Sequence, residues 1–279
     1  MISSDQWHAV RAALEVTGER FAALVESARD PGARATRHWS VADTAAHVAA
    51  IAFQYTGLAR GGERALPMGG LAEQVAATTV DTVAVLNELT LRQFTERDPG
   101  ALARGLRTDI REILRVSAEL DPALPVPWLG GSRVPLAGIL AHLLNELLIH
   151  GRDIARRLRA RWAIPPAHAG LFIDLFLVGV LRYGVGRLLD NDQAPRERRI
   201  AVELRSAYTV AVTLVLHRGR VTVEQPGGAT DVRLSFDPAT LNLLMFHRIG
   251  GARALLSGKV RVRGRVWLLP TFLRTVRLP

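Results

Sequence analysis

The 279-residue chain contains no cysteine, and this absence limits its chemistry. Without a thiol, the protein can form no disulfide, no zinc–thiolate site and no cysteine nucleophile of its own. Any thiol chemistry would therefore need a thiol supplied from outside. Aromatic residues are also sparse, at 6% of the chain, whereas hydrophobic residues reach 48% and can form a substantial core.

Long apolar runs are missing as well. The longest, residues 171–181, is interrupted by Asp174 and followed by Arg182, which predicts a buried helix and no membrane span. Residues 1–5 contain neither a basic segment nor an apolar stretch of the kind that begins a secretory signal. These features predict a cytoplasmic protein.

Positive charge is plentiful, but lysine is nearly absent. The formal net charge is +10, and Lys259 is the only lysine. Arginines cluster at residues 152–161 and 196–199. No helix-turn-helix, zinc-finger or mixed basic–aromatic pattern accompanies them, so we expect no nucleic-acid partner. A solvated basic face that attracts anionic small molecules is the favoured interpretation.

The apolar patterns divide the chain into two parts. Residues 1–190 have the periodicity of a helical bundle, with an extra helix over 165–190. After a polar linker, residues 199–279 alternate like short strands, with a helix that begins at Asp237. The sequence therefore predicts an α plus α+β protein, a helical domain followed by a small domain of sheet and helix.

One helical run combines apolar residues with two side chains that can bind a metal. Glu146 and His150 are spaced i,i+4 within residues 141–153, which places them on one face, one turn apart. Burying a carboxylate and an imidazole is costly unless they are paired. A divalent metal would pair them, and His47 is the candidate third ligand. Three such ligands with an open fourth position are typical of catalytic zinc.

Two neighbours share this face of the predicted helix. His142 cannot bind the same ion as His150, because eight residues rise about 12 Å along a helix. Asp153, one turn beyond His150, could orient a ligand or contact the substrate. Without a metal, His47 would be an ordinary core histidine, and Glu146 with His150 a hydrogen-bonded pair. The sequence pattern leaves that alternative open.

Two motifs carry a resemblance to a known family. Trp-Ser-Val-x-Asp-x-x-x-His at 39–47 and Asn-Glu-Leu-Leu-Ile-His-Gly-x-Asp at 145–153 resemble the DinB-like fold, and more closely its mycothiol-dependent maleylpyruvate isomerase branch. That family binds one divalent metal, usually zinc, through residues that correspond to His47, Glu146 and His150. The resemblance implies a DinB-like four-helix bundle, a Zn²⁺-like ion and a mycothiol-like thiol as cosubstrate.

The C-terminal part carries a second resemblance. Residues 237–241 and 252–260 resemble the sterol-carrier-like domain that is often fused behind this bundle. The sequence departs from the family pattern at two places, both expected near the substrate pocket. Arg152 stands where the family often has tryptophan, and arginines follow the Gly-Lys-Val strand at positions where an acidic residue or a glycine-aspartate step is usual. The metal ligands are unaffected by both departures.

Together these features predict a metal-dependent isomerase or S-transferase that uses an external thiol on a small electrophilic, unsaturated acid. Asp153 and Arg152 are the expected catalytic residues, and His142 and Lys259 the expected contacts of substrate or thiol. The main alternative is a carrier of lipid or apolar metabolites with a non-catalytic bundle. A third is a metal-containing but catalytically silent partner. We expect a monomer or homodimer.

Overall fold

The computed structural model describes residues 2–60, 71–190 and 197–276. The first part contains helices α1 (Ser4–Glu26), α2 (Val41–Ala59), α3 (Leu71–Ala77), α4 (Val83–Gln93), α5 (Pro99–Val116), α6 (Leu136–Leu158), α7 (Pro166–Leu171) and α8 (Val178–Tyr183). Strands β1 (Pro125–Pro127) and β2 (Arg133–Pro135) pair antiparallel before α6. Residues 191–196, which begin the predicted linker, lie outside the described residues.

The four long helices form a bundle. Helices α1 and α2 both pack on α5 and α6, and α6 also packs on α7 and the turn that follows it. Their apolar faces meet in one core, which includes Leu14, Phe21, Leu106 and Leu144. The predicted four-helix bundle is confirmed.

Helix starts follow local capping signals. The Ser40 hydroxyl accepts a hydrogen bond from the Asp43 backbone N–H, and the Asp43 carboxylate accepts one from the Ser40 N–H. This reciprocal pair is a capping box, and it begins α2 at Val41. Asp98 caps α5 just ahead of Pro99, whose missing N–H costs nothing in the first turn. The position of His47 in α2 therefore follows from a sequence-local signal.

The last helical stretch of the first part runs from Pro166 to Tyr183 and contains a π turn at Phe172–Leu177. We predicted a helix over 165–190, but it ends at Tyr183, because Gly184 adopts φ 128°, a conformation that leaves the helix. By length and composition alone, Pro166–Tyr183 could cross a membrane, but 56% of it is buried inside the protein. Its packing against α6 is that of a core helix.

The second part contains a five-stranded sheet in the order β5-β4-β3-β6-β7. Strands β3 and β6 are parallel, and all other neighbours are antiparallel. One face of the sheet packs on α8 and α11 in a small separate core that includes Val202, Leu214 and Phe272. The elements are β3 (Ile200–Arg205), β4 (Val212–His217), β5 (Arg220–Glu224), β6 (Val232–Phe236), α9 (Pro238–Met245), α10 (Gly251–Leu256), β7 (Val260–Gly264) and α11 (Leu269–Thr275).

Polar contacts join the two parts. The Asn242 side-chain amide of α9 donates to Asn145 Oδ1 of α6, and both residues are fully buried. The Asp174 carboxylate accepts hydrogen bonds from the Val210 backbone N–H, in the β3–β4 connection. The second part therefore contacts α6 at the residue directly before Glu146.

Candidate metal centre

Three side chains from two helices converge inside the bundle. His47 comes from α2, and Glu146 and His150 come from successive turns of α6. Glu146 Oε2 lies 3.3 Å from His47 Nε2 and 3.3 Å from His150 Nε2. The ligand atoms of the three residues all lie within 4.8 Å of one another, close enough to hold one metal ion. The structure thus brings together the three residues selected from the sequence.

The donor set fits a divalent ion such as zinc, for which two imidazoles and one carboxylate are common ligands. His47 Nδ1 is buried and has no hydrogen-bond partner among the described residues. His150 Nδ1 lies 3.5 Å from Asp153 Oδ2, the kind of carboxylate that often orients a metal-binding histidine. Both Nε2 atoms are directed at the same carboxylate oxygen. The residues present therefore fit the metal that the family resemblance implies.

Burial and hydrogen bonding shift the pKa values of all three residues. Burial by itself would raise the pKa of Glu146, but hydrogen bonds from His150 and His47 hold that pKa well below its usual range. Burial lowers the pKa of His47 more than Glu146 raises it. Burial also acts to lower the pKa of His150, but Asp153 and Glu146 raise it to about 9. The site is built around an ionised, buried carboxylate, which attracts a cation.

Asp153 links the centre to the second part of the chain. Its carboxylate accepts hydrogen bonds from Arg248 Nε, at 3.2 Å to each oxygen, and from Arg248 Nη2. Arg248 follows α9 and also donates to the Phe246 carbonyl oxygen. Asp153 also faces His150. Arg248, from the second part of the chain, is therefore connected to a candidate ligand through Asp153. Arg248 could not be predicted from the sequence, because it is 95 positions from Asp153 and belongs to no motif.

His142 lies one turn before Glu146 on α6. Its Nε2 is 3.6 Å from Glu146 Oε1, and its Nδ1 is 3.0 Å from the Tyr55 hydroxyl. The Trp128 indole N–H donates to that hydroxyl at 3.0 Å. Tyr55 and Trp128 were not selected from the sequence, because isolated aromatic residues carry no spacing signal.

A cavity of about 1370 Å³ adjoins the three residues. Its apolar lining includes Trp39, Ile51 and Phe246. Among the described residues, the carboxylates that line it are Glu88, Glu146 and Asp153, and the arginines are Arg34, Arg37, Arg156, Arg157, Arg159 and Arg248. This excess of positive charge favours anionic ligands.

Two of the expected site residues lie elsewhere. Arg152 is half-buried and is not among the residues that line the cavity. On a helix it points about 120° away from Glu146, whereas Arg157 returns to nearly the same direction. Lys259 is exposed beside the start of β7 and does not line the cavity either. His142 and Asp153 do line it.

Comparison with known proteins gives two family matches. The mycothiol maleylpyruvate isomerase N-terminal domain matches residues 9–155, and the SCP-2 sterol transfer family matches residues 190–271. The first match covers more than half of the chain and includes His47, Glu146 and His150. No curated protein matches the chain.

Two solved structures resemble the protein at low sequence identity. They are the crystal structure of the mycothiol-dependent maleylpyruvate isomerase, at 14% identity, and that of a mutant of the same enzyme, at 13%. Each has a TM-score of 0.46, and each alignment covers 85% of this chain and 87% of the other.

Proposed function

Because the chain belongs to the family of the mycothiol maleylpyruvate isomerase N-terminal domain, we propose that it is a metal-dependent enzyme that uses an external low-molecular-weight thiol. The substrate we propose is a small electrophilic acid, and the reaction is isomerisation or thiol transfer. The observation that carries this proposal is the convergence of His47, Glu146 and His150 beside a large cavity. The absence of cysteine agrees with a thiol that arrives from solution.

In this proposal, His47, Glu146 and His150 hold one divalent ion, which we take to be Zn²⁺. When bound, an ion of this kind would supply Lewis acidity, which would lower the pKa of an incoming thiol. Glu146 contributes the negative charge that offsets part of the ion's charge. Asp153 orients the His150 ring and is itself held by Arg248. We had predicted a catalytic role for Asp153, and the contacts favour such an orienting role.

The arginines of the cavity would bind the acid. Arg152 does not line the cavity, so we assign this task to arginines that do, of which Arg157 shares the helix face of Glu146. A cavity of about 1370 Å³ is larger than a small ligand needs, which leaves space for thiol and acid together. Apolar side chains such as Trp39 and Phe246 would exclude water from the reacting atoms.

The reaction would proceed at the conjugated double bond of the acid. The thiolate sulfur forms a bond to one alkene carbon while the π electrons move toward the conjugated carbonyl oxygen. The former double bond can then rotate. In an isomerase, the carbon–sulfur bond breaks again and the thiolate leaves unchanged. In a transferase, a proton adds to the neighbouring carbon and the sulfur stays attached.

A carrier of lipids or apolar metabolites is the second candidate, supported by the SCP-2 sterol transfer match. Against it, the apolar face of the sheet is already covered by α8 and α11. The large cavity instead adjoins the three candidate ligands. We therefore favour the enzyme. Cytoplasmic location, a monomeric or homodimeric state and the lack of a nucleic-acid partner stay predictions.

Metal content tests the proposal directly. The purified protein should contain about one zinc-like ion per chain, as measured by elemental mass spectrometry. His150→Ala should lose the ion, whereas His217→Ala, on an exposed histidine at the end of β4, should keep it. A wild-type protein that stays metal-free after reconstitution with Zn²⁺ would contradict the enzyme proposal and favour the carrier. Metal-loaded protein would next be screened with thiols and unsaturated acids.

A further inference from the structure

A chain of three side chains leads to the oxygen of Glu146 that does not face the other candidate ligands. Two of them, Trp128 and Tyr55, are buried, and the side chain of the third, His142, is 12% exposed. This chain begins at Trp128, passes through Tyr55 of α2 and ends at His142 of α6. The His142 ring is 3.6 Å from Glu146 Oε1, while Oε2 faces His47 and His150. The two carboxylate oxygens therefore have different surroundings.

The direction of each hydrogen bond in this chain follows from its first member. An indole N–H can only donate, so the Trp128 N–H uses the Tyr55 oxygen as its acceptor. The single Tyr55 proton must then be directed elsewhere, and His142 Nδ1 lies at 3.0 Å. Nδ1 is therefore an acceptor and carries no proton. In a neutral imidazole, the remaining proton is on Nε2, the atom that faces Glu146 Oε1.

We infer that Trp128, Tyr55 and His142 are positioning residues, which present a fixed Nε2–H to Glu146 Oε1 and leave Oε2 free to bind the metal. The inference rests on the metal site of the proposed function. It gives His142 a role that differs from the predicted contact with substrate or thiol, and it extends the site to two aromatic residues outside the ligand set.

Burial of Tyr55 and Trp128 favours one tautomer of His142. Tyr55 is 5% exposed and Trp128 is 8% exposed, so neither finds an easy alternative partner in solvent. If His142 carried its proton on Nδ1, the Tyr55 hydroxyl would lose its acceptor. The Nε2 lone pair would then face a carboxylate, which is repulsive. Only the Nε2–H tautomer gives the Tyr55 hydroxyl an acceptor and keeps the ring's lone pair away from the carboxylate.

The tautomer can be observed without metal. In protein labelled with ¹⁵N-histidine, two-bond proton–nitrogen spectra distinguish a ring with its proton on Nε2 from one with its proton on Nδ1. His142→Phe identifies the signal of this residue. We expect the Nε2–H form in the metal-free wild type. In Tyr55→Phe, the Nδ1 resonance should shift, because that nitrogen loses the hydroxyl that donates to it. Tyr183→Phe is the matched control, because that hydroxyl donates to the Ala123 carbonyl oxygen and lies outside the cavity lining.

Zinc affinity, measured by competition with a chelating indicator, is the second readout. Tyr55→Phe and His142→Phe should each weaken Zn²⁺ binding about 10–100-fold, the usual effect of removing a group that orients a ligand. The double variant should bind Zn²⁺ no more weakly than the weaker single variant, because both changes break one chain. Tyr183→Phe should bind Zn²⁺ like the wild type. Thermal unfolding checks that every variant is folded.

The outcomes separate this inference from the proposed function. His142 protonated on Nδ1 in the wild type would overturn the inference, whether or not the protein binds metal. Unchanged Zn²⁺ affinity in a folded Tyr55→Phe would overturn it as well. Failure of the wild type itself to bind Zn²⁺ would overturn the proposed function and, with it, the positioning role. The expected tautomer together with weakened affinity in both single variants would support the inference.

Discussion

At the scale of single residues, the centre is one buried carboxylate surrounded by imidazoles. Glu146 contacts His47, His142 and His150, and the hydrogen bonds from His150 and His47 offset the burial that would otherwise raise its pKa. Two carboxylates, Glu146 and Asp153, lie beside His150, so the imidazoles compensate the buried negative charge only in part, and a divalent cation completes the compensation. The metal should therefore stabilise the fold.

Glu146→Gln keeps the side-chain volume but removes the negative charge. A ligand at 100 times its Kd adds about 2.7 kcal/mol to the free energy of unfolding. For a domain of this size, that raises the Tm by roughly 5–10 °C. Differential scanning calorimetry with added Zn²⁺ should detect this rise in the wild type and little or none in Glu146→Gln.

Glu88→Gln is the matched control for this prediction. Glu88 lines the same cavity, and its carboxylate accepts a hydrogen bond from the Trp39 indole. A glutamine can still accept that bond, so the Tm rise with Zn²⁺ should persist. If Zn²⁺ raised the Tm of Glu146→Gln as much as that of the wild type, Glu146 would not be a ligand of the ion.

At the scale of secondary-structure elements, α6 carries most of the site. It spans Leu136–Leu158 and is buried along most of its length, because it is packed by α1, α2 and the π turn. Gly151 directly follows His150, and the Trp162 ring lies over it, with its indole N–H donating to the Leu148 carbonyl oxygen. A close ring contact on the backbone explains glycine in the middle of a helix, where alanine is otherwise favoured.

Two helical glycines make a matched pair for a test of this packing. In Gly151→Ala, the new Cβ would lie 2.2 Å from Trp162 Cζ2, so the ring must move. We expect the free energy of unfolding to fall by about 1–3 kcal/mol. In Gly105→Ala, on α5, nothing lies within 4 Å of the new Cβ, so helix propensity should add about 0.5–1 kcal/mol. Urea unfolding measures both changes. A stabilised Gly151→Ala would refute the assigned role of Trp162.

At the scale of the whole molecule, the helical and sheet parts are joined by polar contacts near the site. Asp174, on the π turn, accepts hydrogen bonds from the Val210 backbone N–H and from the Gln6 side chain. Burial raises the pKa of Asp174 to about 6, although these hydrogen bonds and the charge of Arg182 act in the opposite direction. The junction is therefore sensitive to pH.

The direction of the pH dependence follows from the pKa of Asp174 in the folded and unfolded states. Asp174 has a higher pKa in the folded protein than the usual 3.8 of the unfolded chain. Its contribution to stability is therefore fully present below about pH 4 and is lost as the pH rises through about 6. Compared with Asp174→Asn, the free energy of unfolding of the wild type should fall by about 1–3 kcal/mol over that interval. Above that interval, the difference between the two proteins should stay constant.

Urea unfolding of both proteins between about pH 4 and 8 measures this difference. Asp30→Asn, at an exposed aspartate, controls for general charge effects. A stability difference between the wild type and Asp174→Asn that does not change with pH would show that Asp174 is not desolvated at the junction.

The sequence by itself determined the features that depend on short spacings. The capping box of Ser40 and Asp43, the i,i+4 pair of Glu146 and His150, and the alternation of the strands could all be predicted, because each is set within one or two turns of chain. The choice of His47 as third ligand was a hypothesis from the sequence, supported by a motif match. A distance of 99 positions separates His47 from Glu146.

Only the tertiary structure decided which distant residues meet at the site. The contacts of Arg248 with Asp153, and of Trp128 and Tyr55 with His142, join elements whose packing no local pattern describes. The same packing leaves Arg152 and Lys259 outside the cavity lining. The physical reason is that a helix or strand specifies the direction of its side chains relative to its own axis, whereas the partner that each side chain meets depends on how the elements pack.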